Sequence, residues 1–346
     1  MKRKILVLTT MVIMGSIYQL NTYANRAVDS AGLDQGYSFI QTYKVTPPVN
    51  LKISTTGGNI STTGRDDNTI EVSFIIAKRG QVLPITFAQL KDYADVEINT
   101  DNSNLEIKVK KIYEHNISVG FNIKTPVKTS ATLNTSGGNL YVVNIEGKHT
   151  LNTSGGNINL AKITGSMDAR TSGGNITINE STADYYASTS GGNISAENVN
   201  GKLEISTSGG NISAKNITHG LTGHTSGGNV SIQTVQGPVD VETSGGDMHL
   251  DDISGSVKAH TSGGDVSATL IKLTGPIDLG TSGGSLHAVI PAGLGLDLDL
   301  SADDINTPLT NFSGTAKKNR IVGKMNGGGI LVHMSTSGGS ISLIYK

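Results

Sequence analysis

The tetrapeptide Thr-Ser-Gly-Gly begins at Thr135, Thr153, Thr171, Thr189, Thr207, Thr225, Thr243 and Thr261, each copy 18 residues after the last. A ninth copy, at Thr281, follows after 20 residues and a tenth, at Thr336, after 55. An imperfect copy, Thr55-Thr56-Gly57-Gly58, precedes them all. A fixed short period marks a repeat array, in which one unit is too small to bury its own apolar face and must stack on its neighbours.

Numbering each unit from the residue after Gly-Gly shows what the stack is made of. Position 1 is Asn139, Asn157, Asn175, Asn193, Asn211 and Asn229, then Asp247, Asp265 and Ser285. Positions 2 and 4 are apolar, as in Leu140/Val142, Ile158/Leu160 and Ile176/Ile178. Position 7 is mostly Ile or Val (Ile145, Ile163, Val199, Ile217, Val235, Ile253), and position 9 is often Gly. Positions 11 and 13 are small or apolar, as in Leu203/Ile205 and Val239/Val241.

Eighteen residues also make five helical turns, so a helix has to be excluded. At about 100° per residue, positions 2 and 13 fall opposite 4, 7 and 11, and the glycine pair costs about 2 kcal/mol per unit in a helix interior. Alternation with period 2 places 2 and 4 on the inside of one strand and 11 and 13 on the inside of another. The expected fold is all-β: a single-stranded parallel β-helix, or solenoid, of 18-residue coils stacked about 4.8 Å apart. A left-handed hexapeptide helix also has 18 residues per turn but needs an apolar residue every sixth position, which this pattern lacks. Parallel crossovers favour the right hand. The Gly-Gly pair and the Gly at position 9 are expected to supply positive-φ corners, and the position-1 Asn residues a hydrogen-bonded ladder.

The flanks lack the period. Segments 49–53, 69–76, 96–98, 104–110 and 117–124 alternate as strands, 86–94 reads as one short helix, and the early Thr-Thr-Gly-Gly suggests a first coil interrupted by a large insertion. Residues 1–24 have a basic start (Met1-Lys2-Arg3-Lys4), an apolar stretch too short to span a bilayer, and a small residue at Ala24, the layout of an export signal. The expected organisation is therefore a signal peptide at 1–24, an N-terminal β region and cap at 25–134, the solenoid at 135–300, and a C-terminal coil and cap at 301–346. The expected location is periplasm, cell surface or medium.

Around Ile123-Lys124-Thr125-Pro126-Val127 and the Thr-Ser-Gly-Gly-Asn/Asp-Ile units, from about Val45 to Lys346, the chain resembles the bacterial adhesin-type DUF4097 family of unknown function. The resemblance implies an exported, surface-associated β-solenoid. It brings no catalytic residues with it.

Candidate chemistry is sparse. The absence of Cys excludes disulfides, thiolate metal sites and a cysteine nucleophile. The net charge of −1 excludes the strongly basic footprint of nucleic-acid binding. Asp247 and Asp265 stack one coil apart, the weak candidates for a cation or an acid–base pair, with Asp251 and Asp252 at the next corner. Asx drift at a corner that accepts either residue is the preferred reading of the first pair. His224 and His260 lie two coils apart with Glu242 between them, and His249 and His287 likewise with Ser267 between, neither set having metal-ligand spacing. The Thr and Ser of each unit suggest two outward hydroxyl columns, a surface for glycans or ice.

The functional expectation is a non-enzymatic exported adhesin or envelope scaffold that uses no cofactor. Its partners would be envelope or host glycans or proteins, with self-association through open coil ends. The alternative is a carbohydrate-binding or carbohydrate-active β-helix protein, whose catalytic form needs a carboxylate-lined groove.

Overall fold

The structure is a computed structural model and describes residues 36–346; the export signal expected over 1–24 lies outside them. The backbone register shows directly how the period becomes a solenoid. On one side of the coil, Leu140, Ile158, Ile176, Ile194, Ile212, Val230, Met248 and Val266 stand directly above one another in parallel strands. On the other side, Leu151, Ala169, Ala187, Ile205, Gly223, Val241 and Ala259 form the matching column. Both columns are buried and meet in one continuous core running from Val45 to Leu343. The fold is all-β, a parallel solenoid with irregular β segments at its two ends.

The corners differ from expectation. Neither glycine of the repeated pair has positive φ; the left-handed residue is at position 6: Asn144, Lys162, Glu180, Asn198, Asn216, Thr234 and Asp252, with φ between 48° and 59°. Four of the seven are Asn or Asp, the non-glycine residues that best tolerate this region. This residue turns the chain between the strand at positions 2–5 and the buried side chain at position 7. Gly at position 9 does take positive φ at Gly147, Gly165 and Gly237.

The glycine pair has another purpose. A Cβ on the second glycine would lie 1.9–2.0 Å from the carbonyl oxygen of the equivalent glycine one coil below, as at Gly156, Gly174, Gly192, Gly210 and Gly228. Only Gly lets two backbones approach this closely. The first glycine is unconstrained: a Cβ on Gly209 would come no closer than 3.7 Å to the nearest atom, Ser190 O.

Both ends are closed by coils stacked out of sequence order. The strands Val49–Ser54 and Ile60–Arg65, which flank Thr55-Thr56-Gly57-Gly58, make the first coil, as the early repeat copy suggested. This coil does not lie at the end of the stack. Val49–Ser54 sits between Thr129–Asn134 and Asn104–Ile112, and Ile60–Arg65 between Leu140–Val143 and Ile117–Pro126. A later segment thus forms the outer coil. Beyond it lie the antiparallel strands Thr69–Lys78 and Phe39–Lys44 on one side and Ala94–Thr100 on the other. The helix expected over 86–94 is a 3-10 helix, Phe87–Asp92.

The other end repeats the device. Ile330–Thr336 is held between Val266–Thr281 and Leu296–Ser301, and Ser340–Tyr345 between Leu286–Ile290 and Asp304–Asn306. A hairpin, Phe312–Lys317 and Arg320–Met325, extends the outer coil antiparallel.

One buried column carries a titratable group. His149 is 1% exposed, stacks in register with Met167 and then Tyr185, and its Nδ1 accepts the Ala131 N–H at 3.3 Å. Burial pulls its pKa down to about 4.

Two predictions follow from this packing. Gly210→Ala should lower the unfolding free energy by at least about 2 kcal/mol in urea titration, whereas Gly209→Ala should stay within about 0.5 kcal/mol of the parent; equal effects would refute the close-approach account. Because His149 is neutral in the fold and titrates near 6.5 when unfolded, its contribution is complete above pH 6.5 and is lost as pH falls towards 4. The loss amounts to about 3 kcal/mol across that window. His149→Met, which copies Met167, should remove this component, so comparing the pH dependence of the two urea midpoints tests it.

Candidate functional site

The surface feature that recurs along nearly the whole stack of coils is the Thr-Ser-Gly-Gly-Asn corner. Its construction starts with the Thr at position 15. In the structure this side chain points inward, correcting the expectation of two outward hydroxyl columns: Thr135 to Thr281 are all buried, and Thr225 is fully so. Its Oγ1 donates to the second-glycine carbonyl of the coil below (Thr207 to Gly192 O, 2.8 Å) and accepts the N–H of its own second glycine (Gly210, 3.2 Å). The same pair of bonds recurs from Thr153 to Thr281. The hydroxyl that would be costly to bury alone is thus satisfied twice.

At position 1, the side-chain Oδ1 accepts the backbone N–H of the same position in the next coil. The run passes from Asn59 to Asn139, then Asn157, Asn175, Asn193, Asn211 and Asn229, each step at 2.7–2.8 Å. Asn229 accepts from Asp247, Asp247 from Asp265 and Asp265 from Ser285, at 2.6–2.9 Å. The bond therefore runs from side chain to backbone and uses only an acceptor oxygen, which Asn and Asp both supply. Asp247 and Asp265 each give one carboxylate oxygen to this run. Among the described residues no three His, Asp or Glu side chains come together as a metal site.

What remains exposed is one hydroxyl column and one amide column. Ser136, Ser154, Ser172, Ser190, Ser208, Ser226, Ser244, Ser262, Ser282 and Ser337 all face solvent, as does the first glycine beside each. Their Oγ atoms, and the Nδ2 atoms of Asn139 to Asn229, form no hydrogen bonds among the described residues, while the carbonyls of Ser136 to Ser262 each hold two N–H groups of the coil above. The outcome is a ribbon of hydroxyls and amides repeating from coil to coil.

A group of paired charges lies on the side of the coil carrying positions 12 and 14. Lys258 lies 3.3 Å from Asp240 and 2.8 Å from Glu242, and His260 lies 3.1 Å from Asp278. The Lys258 ammonium, hydrogen-bonded to Glu242, holds that carboxyl below its usual range. His224 and Glu242 are neighbours in register, as are Glu242 and His260. The 18-residue spacing already placed Glu242 between His224 and His260, and the register makes each histidine a direct neighbour of that acid. A cleft of about 310 Å³ near the N-terminal end, lined by Asn50, Lys52, Asp101 and Glu106, has its Asn and Asp groups largely bonded to one another.

The ladder account yields a prediction. Asp247→Asn and Asp265→Asn should leave the urea midpoint unchanged within about 0.5 kcal/mol, and millimolar Ca²⁺ should not shift the melting temperature of the parent. Asp265→Leu, which strands the Ser285 N–H, should cost about 1 kcal/mol. A Ca²⁺-dependent rise in melting temperature that the Asn variants abolish would instead make the pair a cation site.

No curated protein matches the chain. Among solved structures it is similar to a "putative adhesin" from Parabacteroides distasonis, at 13% identity and a TM-score of 0.36, covering 89% of this chain and 98% of that one. A "putative lipid binding protein" from the same organism matches at 14% identity and a TM-score of 0.37, covering 70% and 96%. A "putative cell adhesion protein" from Clostridium sporogenes matches at 11% and 0.20, covering 89% and 99%. At such values the solenoid assignment rests on the register described above. The model of the Toastrack DUF4097 family matches residues 179–343. That span begins among the regular coils and runs through the inserted C-terminal one, and over it the chain is similar to that family.

Proposed function

We propose that the chain is an exported, non-enzymatic solenoid acting at the cell envelope as an adhesin or scaffold, with the Ser–Gly–Asn ribbon as its contact surface. The observation that carries this reading is a contrast between outward positions. Ser at position 16 and Gly at position 17 recur in all ten full copies, although both are exposed and the packing asks little of either. Other outward positions, exposed or half-buried, have drifted freely: position 5 runs Ala161, Asn179, Glu197, Lys215, Gln233, Asp251, and position 14 runs Asn152, Arg170, Ser188, Ser206, His224, Glu242. Simple duplication would have kept these as well. Burial accounts for Thr and for the second glycine; it does not account for Ser and the first.

A ribbon of evenly spaced hydroxyls and amides fits an extended polymer with its own repeated hydrogen-bonding groups, and a glycan is the class that matches best. Each contact is weak, and affinity would come from many contacts made at once. The carbohydrate-active reading has less support, since Asp240 and Glu242 are held by Lys258 and Asp247 and Asp265 are engaged in the ladder.

Cell fractionation and a glycan array probed with the mature chain test the two halves of this reading. The expected result is an envelope or extracellular protein that binds a polysaccharide more tightly as the polymer lengthens. Replacing Ser172, Ser190 and Ser208 with Lys should weaken that binding at least tenfold without changing the melting temperature. A cytoplasmic protein would sink the export half, and binding indifferent to the three substitutions would sink the ribbon.

A further inference from the structure

At each end, the coil carrying Thr-x-Gly-Gly is an inner layer, roofed by an outer coil that belongs elsewhere in the chain order. The outer C-terminal coil is made from residues 291–329, and both ends of that segment return into the body: one continues from Leu286–Ile290, the other leads into Ile330–Thr336. The outer N-terminal coil is likewise contained in 66–128, between Ile60–Arg65 and Thr129–Asn134. We infer that these two insertions are clasps that prevent the solenoid from fraying at its ends, so that the terminal coils open only when the body does. The inference does not depend on what the ribbon binds.

The physical reason is loop closure. In an ordinary repeat array the last coil peels away as a loose tail and gains the full entropy of a flexible chain, so stability declines towards the ends. Here an outer coil that detaches remains tethered at both ends. For closed loops of these lengths the lost freedom makes detachment about a thousandfold less favourable than for a tail.

The inner coils are held on both faces. Val332, Met334, Ile341 and Leu343 are fully buried at 0% exposure, Thr336 Oγ1 donates to Gly284 O at 2.7 Å, and the Ser340 N–H donates to Ser285 Oγ at 3.2 Å. At the other end Leu51, Ile53 and Ile60 are buried at 0–1% exposure, and Thr55 Oγ1 donates to Val119 O at 2.7 Å. The link into the C-terminal inner coil is Asn326-Gly327-Gly328-Gly329, four consecutive positive-φ residues that pass over the end of Leu296–Ser301, the strand lying between Arg320–Met325 and Ile330–Thr336. The Gly329 N–H is tied to Asp297 Oδ2 at 3.2 Å.

The test opens each loop without removing a packed side chain. A specific protease site is placed in the full chain at the exposed turn Lys318-Asn319, and in a second variant at the exposed turn Arg79-Gly80. Amide hydrogen exchange is then measured before and after cutting. Uncut, Ile330–Thr336 and Ser340–Tyr345 should exchange within about threefold of the central strands Ile212–Ile217 and Val230–Gln236. Cutting at 318–319 should make those two strands exchange at least a hundredfold faster than the central ones, and cutting at 79–80 should do the same for Val49–Ser54 and Ile60–Arg65. Terminal strands that already exchange tenfold faster in the uncut protein would overturn the inference. So would cuts that leave the ratio of terminal to central exchange unchanged. A variant whose inserted site disturbs folding shows altered exchange throughout before cutting, and the other variant then decides.

Discussion

Two peptide backbones, one coil apart, meet at the second glycine of every unit with no room for a single methyl group between them. Most of the corner follows from that approach. Because the glycine carbonyl lies so near the coil above, it can accept the threonine hydroxyl of that coil, and because the threonine is drawn inward to reach it, the same hydroxyl can cap the next glycine N–H. With the corner pinned, position 1 emerges at the same height in each coil, and a short acceptor side chain reaches the N–H above. One steric condition thus sets three hydrogen-bonding patterns, and their repetition keeps the apolar columns in register over the length of the molecule.

The period, the strand class and the inward positions were legible because they are one-dimensional facts: a spacing of 18 and an alternation of 2 fix which residues stack and which face in. The corners were harder to read. Gly-Gly looked like a conformational requirement and is a steric one, whereas the conformational requirement falls at position 6, on residues as unlike as Lys162, Thr234 and Asp252. The enrichment of Asn and Asp at that position was the available signal, and it was diluted by exceptions. Thr was misplaced for a related reason: a hydroxyl at a corner reads as solvent-facing unless its buried acceptor is known, and that acceptor belongs to another coil. The clasped ends were invisible to a period search because they break it. The 55-residue gap before Thr336 marks where the outer coil intervenes, but nothing in the spacing says that the chain turns back under it.

The same corner separates what the fold consumes from what it leaves over. Thr, the second glycine and the position-1 oxygen are all engaged in coil-to-coil bonds. The serine hydroxyl, the first glycine and the asparagine Nδ2 are left to solvent. This explains why Asp can replace Asn at 247 and 265 without disturbing the ladder, since the replaced atom is the one the fold does not use. It also means that the ribbon ends chemically before the solenoid does: beyond Asn229 the amide column becomes carboxylate and then hydroxyl, while the serine column continues to Ser337.

An array that binds through many weak contacts depends on its least ordered coils as much as on its best ones. Each contact adds to the total only if its group is already held at the right height when the previous one engages; a frayed coil must be ordered first, and that cost cancels the gain. Ordinary solenoids lose order at their ends, which would shorten the useful ribbon from both directions. Clasped ends extend the ordered spacing to the terminal copies, so that Ser136 near one clasp and Ser282 near the other lie on the same rigid scale as Ser208 in the middle. Rigidity at the ends and regularity along the ribbon are therefore one property: the first preserves the number of contacts over which the second can be summed.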